Sequence, residues 1–136
     1  MRSGQFIIDV MDLIKERRLH GIAVGDSIES VRNVFGMAEL PKSRIGRRSK
    51  LHYHLYGNLS FVSEDEVVVS INIDLHGNRM RVVDVVDEGR GVDEWMAFFS
   101  ENKWNVRRVS EIISASSNGV SLDFLPSGKL GMISLT

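Results

Sequence analysis

The chain has no cysteine. Disulfides, thiolate metal sites and cysteine nucleophiles are excluded outright. No apolar run approaches the roughly 20 residues that a membrane-spanning helix needs. Charge of one sign is not in excess either: 17 Lys and Arg face 18 Asp and Glu, a formal net charge of -1. A general nucleic-acid binder is usually strongly basic, so that class is set aside. Near the N-terminus, Asp9, Asp12 and Lys15 interrupt the apolar residues, and no continuous secretion-signal core forms. The expected compartment is the cytoplasm, and no membrane partner is expected. No Gly-x-Ser-x-Gly elbow occurs, and no acid-base set is assembled by spacing. The chain is therefore not expected to be an enzyme.

What is present is ordinary globular material. The chain has 136 residues, of which 43% are apolar and 26% charged. That is one domain, residues 1–136, long enough to bury a sizeable core.

Residues 4–19 carry helical periodicity. Phe6, Ile7, Val10, Leu13 and Ile14 share one arc at about 100° per residue, although Ile8 and Arg17 misfit. Gly21 is placed to end that helix as a left-handed cap. Residues 26–35 form a second helix. Asp26 or Ser27 caps it, Ile28, Val31, Val34 and Phe35 make its apolar stripe, and Gly36 closes it.

Residues 37–50 change character. Pro41, Gly46 and the cations Lys42, Arg44, Arg47, Arg48 and Lys50 mark an exposed basic loop, with no acid between Glu39 and Glu64. Such a loop is either simply solvated or meets an acidic partner.

From Leu51 the period becomes two. Leu51, Tyr53 and Leu55 alternate with His52, His54 and Tyr56, and Leu59 and Phe61 follow the Gly57-Asn58 turn. Val67, Val69, Ile71 and Ile73 form one face of the longest strand. Met80 to Val86 is expected as a fourth strand. This pattern predicts an antiparallel meander with one face buried and one facing water or a partner. A third helix is expected from Val92 to about Ser100, with Asp93 near its cap and Trp95, Met96, Phe98 and Phe99 as core. Residues 104–113 lean to strand. Ser114 to Gly119 reads as a loop. Val120 to Leu125 and Leu130 to Leu135 form a closing hairpin.

The expected architecture is α+β: a single antiparallel sheet with about three helices on one face. A degenerate two-half repeat is also visible. Leu59-Ser60-Phe61 echoes Leu122-Asp123-Phe124, and Val69-Ser70-Ile71 echoes Ile133-Ser134-Leu135.

His52 and His54 stand two apart on one strand and so share a face. With Asp74 or Asn72 from a later strand they would resemble a metal-ligand set. Histidines are equally at home on a wet sheet face, and the expectation is no metal and no cofactor. His52, His54, Tyr56 and Asp74 are read instead as a partner-binding face beside the basic loop, because Tyr and His present an apolar body with a polar tip.

Three segments carry a resemblance. Gly25, Ser27, Val31 and Gly36 form Gly-x-Ser-x-x-x-Val-x-x-x-x-Gly, Tyr56 to Phe61 form Tyr-Gly-x-Leu-x-Phe, and Val69-Ser70-Ile71 form Val-x-Ile. Over roughly residues 20–75 the chain resembles small bacterial immunity proteins of polymorphic and contact-dependent toxin systems. It is also similar to helix-plus-sheet inhibitors of the beta-lactamase-inhibitor-protein kind. In such sequences a proline closely follows the helix-ending glycine, whereas Pro41 is displaced from Gly36 by several residues. The resemblance implies a protein partner, a cognate toxin, blocked by a rigid surface; it carries over no functional residue. The alternatives are a metal- or ligand-binding protein or enzyme using the His52/His54 face, and a structural dimerising domain.

If the basic loop meets an acidic partner, reversing Arg47 and Arg48 to Glu slows association at low salt. Stopped-flow association rates across a salt series check this, and an unchanged rate removes the loop from the interface.

Overall fold

A computed structural model describes residues 6–39, 43–44, 50–77, 80–86 and 91–136, the pair 43–44 by its backbone alone. The element order is β1 (Phe6–Asp9), α1 (Val10–Glu16), α2 (Ile28–Phe35), β2 (Ser43–Arg44), β3 (Leu51–Tyr56), β4 (Leu59–Glu64) and β5 (Val67–Asp74). Then follow β6 (Val83–Val86), α3 (Val92–Glu101), β7 (Asn105–Val109), β8 (Ile112–Ser117), β9 (Val120–Phe124) and β10 (Leu130–Leu135). The fold is α+β.

Eight strands make one antiparallel sheet in the order β2-β3-β4-β5-β10-β9-β8-β7. The order is palindromic. Two four-stranded meanders, each preceded by a helix, meet where β5 pairs with β10. Ile73 stands opposite Ile133 at that junction, and the two are flanked by Leu59 and Leu122 on the neighbouring strands. The Leu-x-Phe echo is thus in structural register: Leu59, Phe61, Leu122 and Phe124 are all buried. The Val-Ser-Ile echo is not. Aligning Ile73 with Ile133 leaves Ile71 four positions out of step with Leu135.

All three helices cover the same sheet face. Ser27 accepts from the Ser30 amide and caps α2, whose buried residues are Ile28 and Val31. The segment before it lies along the start of β5: Gly25 donates to the Val68 carbonyl at 2.8 Å, and Val68 donates to that of Asp26 at 2.8 Å. That pairing delivers α2 onto the sheet, where Phe35 meets Phe61 and Tyr56 at ring separations of 5.5 and 5.9 Å. On the other half, Trp95 and Phe99 of α3 pack against Phe124 at 6.2 and 6.0 Å. Val10 and Leu13 of α1 join the same cluster.

The N-terminal segment departs from the expected single helix. Phe6–Asp9 is a strand paired in parallel with β6, and the helix starts only at Val10, where the Asp9 carboxylate accepts from the Met11 and Asp12 amides. Arg17, in the left-handed conformation, ends α1. Gly21 sits instead with His20 in a tight turn closed by the Leu19–Ile22 bridge. The Met80–Val86 run is likewise not a fourth meander strand. Its strand portion, Val83–Val86, leaves the main sheet for the β1 pair. Residues 104–113 divide between β7 and β8, and Ser114 to Ser117 extend β8 rather than forming a loop.

Asn58 anchors that departure. Its buried side chain donates to the Val83 carbonyl at 2.8 Å and accepts from the Val82 and Val83 amides at 2.8 and 3.0 Å. The turn it belongs to requires glycine before it. Gly57 has φ 58°, and a Cβ there would collide with the Met80 carbonyl and the Val82 side chain.

The β5–β10 junction sets the stability test. Ile133 is buried and Met132, its neighbour, points to the opposite face. Ile133→Ala is expected to cost about 2–5 kcal/mol and Met132→Ala about 1 kcal/mol or less in urea denaturation. Equal losses would show that the junction is not the buried centre of the sheet.

Candidate functional site

β3 presents His52, His54 and Tyr56 on one face, as the alternation requires. That face is the inner one. His54 and Tyr56 are only 4% and 6% exposed. His54 Nε2 lies 2.8 Å from the hydroxyl oxygen of Ser63, which is itself fully buried. The Tyr56 hydroxyl donates to the Gly36 carbonyl at 2.8 Å, satisfying the end of α2. Tyr56 thus ties the end of α2 to the sheet and His54 ties β3 to β4, and the reading that made them outward anchors is corrected. Asp74 lies on the other face, since it pairs with Met132 while Ile73 faces inward. Its carboxylate accepts from the His76 amide at 2.8 Å, shaping the turn after β5. The proposed His52/His54/Asp74 grouping is therefore split across the sheet. Among the described residues no group of three His, Cys, Asp or Glu side chains is placed to hold a metal.

The basic loop is only partly accounted for. Lys42, Arg47 and Arg48 lie outside the described residues. Arg44 belongs to the short strand β2, opposite His52, rather than to a loop. Lys50 is exposed just before β3.

The sheet face that none of the described helices covers is where the fold assembles a surface. Consecutive registers line up Leu55, Ser60, Asn72, Ser134, Ser121, Ser116 and Asn105 in one row across seven strands. At about 4.8 Å per strand the row is roughly 29 Å long. A second row runs Asp74, Met132, Asp123, Ser114 and Arg107. Tyr53 and Val62 stand beside them. The short side chains bind one another both across and along strands. Ser134 donates to Asn72 Oδ1 at 2.9 Å, Asn72 Nδ2 donates to Ser70 at 3.0 Å, and Ser114 donates to Asp123 Oδ1 at 2.6 Å. Tyr53, Ser60, Asn72, Asp74 and Met132 line a dimple of about 110 Å³ on this face.

Two larger clefts lie on the helix side. One of about 530 Å³ runs between the N-terminus of α3 and the β9–β10 turn, with Trp95 and Phe124 in its floor and Arg81 and Lys129 in its walls. Arg81 is already engaged, donating to the Leu75 carbonyl at 3.0 Å and pairing with Asp84 at 3.7 Å. The other, about 340 Å³, separates α1 from α3 and is lined by Met11, Ile14, Phe98 and Trp104.

No family model, curated protein or solved structure matches the chain. No helix among the described residues is long and apolar enough to cross a membrane.

The serine and asparagine row was missed in the sequence because its serines and asparagines come from six strands far apart in the chain. The only local signal was the alternation of small polar residues through β5, β8, β9 and β10.

Burial raises the Tyr56 phenol above its usual value near 10, with Arg32 partly opposing the shift. The folded protein therefore keeps this proton at pH values where the unfolded chain has released it. The resulting stabilisation is complete below about pH 10 and is lost as pH rises through the folded value. Urea midpoints measured above about pH 10 should fall more steeply for the native chain than for Tyr56→Phe. Parallel slopes would remove Tyr56 as the cause.

Proposed function

We propose that the chain is a cytoplasmic protein of the immunity type, which binds a cognate protein toxin and neutralises it by covering a surface the toxin needs. The observation that carries this reading is the open sheet face. It is roughly 29 Å across and built mainly from short side chains, several of them already bonded to one another. A standard interface takes about 800 Å² from each partner, a patch about 28 Å on a side. Serine and asparagine have little rotamer freedom to lose on binding, unlike the lysines and glutamates of a typical solvated sheet. The dimple beside Tyr53 suits a single anchor side chain from the partner, and such anchors dominate interface energetics. Asp74 and Asp123 flank the central Met132, which favours a partner rich in hydrogen-bond donors.

The palindromic strand order and the shared Leu-x-Phe of β4 and β9 support a further reading, in which the two halves descend from one duplicated helix-plus-meander unit.

The test is co-expression with the product of the adjacent reading frame, scored by growth and by isolation of the complex. The native chain should restore growth. Ser134→Arg, which sets a long cation in the middle of the row without touching the core, should retain its fold by circular dichroism and lose the complex by at least about tenfold in Kd. Rescue by Ser134→Arg at native affinity removes the open face from the interface. A neighbour that is neither toxic nor bound overturns the immunity reading itself.

A further inference from the structure

β7 ends the sheet. Among the described residues it pairs with β8 alone. Asn105, Arg107, Arg108 and Val109 are all exposed, Val109 at 58%. A two-residue turn, Ser110-Glu111, joins β7 to β8, so Val109 and Ile112 form the closing hydrogen-bonded pair and the pattern alternates from there. Val106 and Arg108 therefore turn their backbone N–H and C=O groups away from β8, toward solvent. An edge of this kind is a template for another strand.

Charge decides which strand fits. Lys103, Arg107 and Arg108 lie in or beside β7, and Arg17 reaches the β8–β9 turn at the same end of the sheet, donating to the Asn118 carbonyl at 3.1 Å. None of the four forms an ion pair among the described residues. Glu111 is the one carboxylate in the β7–β8 turn. A second copy of this chain is disfavoured. Antiparallel pairing of two β7 strands through Val106 and Arg108 sets Arg107 opposite the same residue of the other copy, and like charges directly opposite are destabilising.

We infer that the β7 edge is a strand-addition site for an extended acidic segment of a protein partner. Main-chain bonds to Val106 and Arg108 hold the added strand. Arg107, on the open face, and Arg108, on the helix face, select acidic side chains on both sides of it. The site is separate from the open-face reading and survives its failure.

The test uses the full chain and two probes, an alternating Glu-Val peptide and its Lys-Val counterpart. Amide hydrogen exchange is read residue by residue. With the Glu-Val peptide, exchange at Val106 and Arg108 should slow about tenfold or more, while Arg107 and Val109, already bonded to β8, change little. The Lys-Val peptide should give no protection. Arg108→Pro removes an outward N–H without breaking the β8 ladder, and it should abolish protection at Val106, whereas Arg108→Ala should only weaken it. Reversing Arg107 and Arg108 together to Glu should transfer the preference to the Lys-Val peptide. Equal protection by both peptides, or by neither, overturns the proposal. So does protection of these amides without peptide that grows with protein concentration, which would identify a second copy as the occupant.

Discussion

The pairing of β5 with β10 is the constraint on which the rest depends. Each four-stranded half has its own helix, but neither half alone is wide enough to bury both helices and the β1–β6 pair. Ile71, Ile73, Ile133 and Leu135 meet across the junction, and Leu75 extends it by donating to the Gly131 carbonyl at 2.9 Å. These residues come from distant parts of the chain, so the contact closes a long loop before it returns any burial. Once made, it fixes both faces together. The isoleucines become the middle of the core, and Asn72 and Ser134, their immediate neighbours in sequence, become the middle of the open face.

The inner face then determines what the outer one is free to do. Aromatic rings from α2 and α3 settle on the two halves, and Asn58 ties β6 to the β3–β4 turn through three hydrogen bonds. Buried polar groups satisfied in this way specify one arrangement, because leaving any of them unpaired is costly. The His54–Ser63 and Tyr56–Gly36 bonds belong to the same set. With stability supplied on this side, the other face can carry small hydroxyl and amide side chains that contribute little to folding.

Several elements were legible for identifiable reasons. The second helix has a serine cap and a glycine end, both local signals, and it was read within two residues of its bounds. The meander was legible from its period of two. The first segment was not, because Phe6 and Ile7 fit either a strand or the helix face, and the misfit of Ile8 alone did not decide between them. The choice was made by β6, which supplies the parallel partner. The Ser114–Ser117 stretch was also misleading. Its residues favour loops in isolation, but flanking strands on both sides hold it extended.

The face of β3 shows the same division. Alternation alone established that His52, His54 and Tyr56 lie together and that Leu51, Tyr53 and Leu55 lie opposite. Hydropathy favoured Leu51, Tyr53 and Leu55 as the inner set, but the structure buries His54 and Tyr56 instead. By itself the sequence determined an α+β fold, the existence of most strands and all three helices, and the absence of cysteine chemistry. Those follow from composition and from interactions between residues close in the chain. Tertiary structure alone decided which face is covered, which edge is open, and that serines and asparagines from six strands form one row. Each of these depends on the register between distant strands, and a shift of one residue would exchange the two faces.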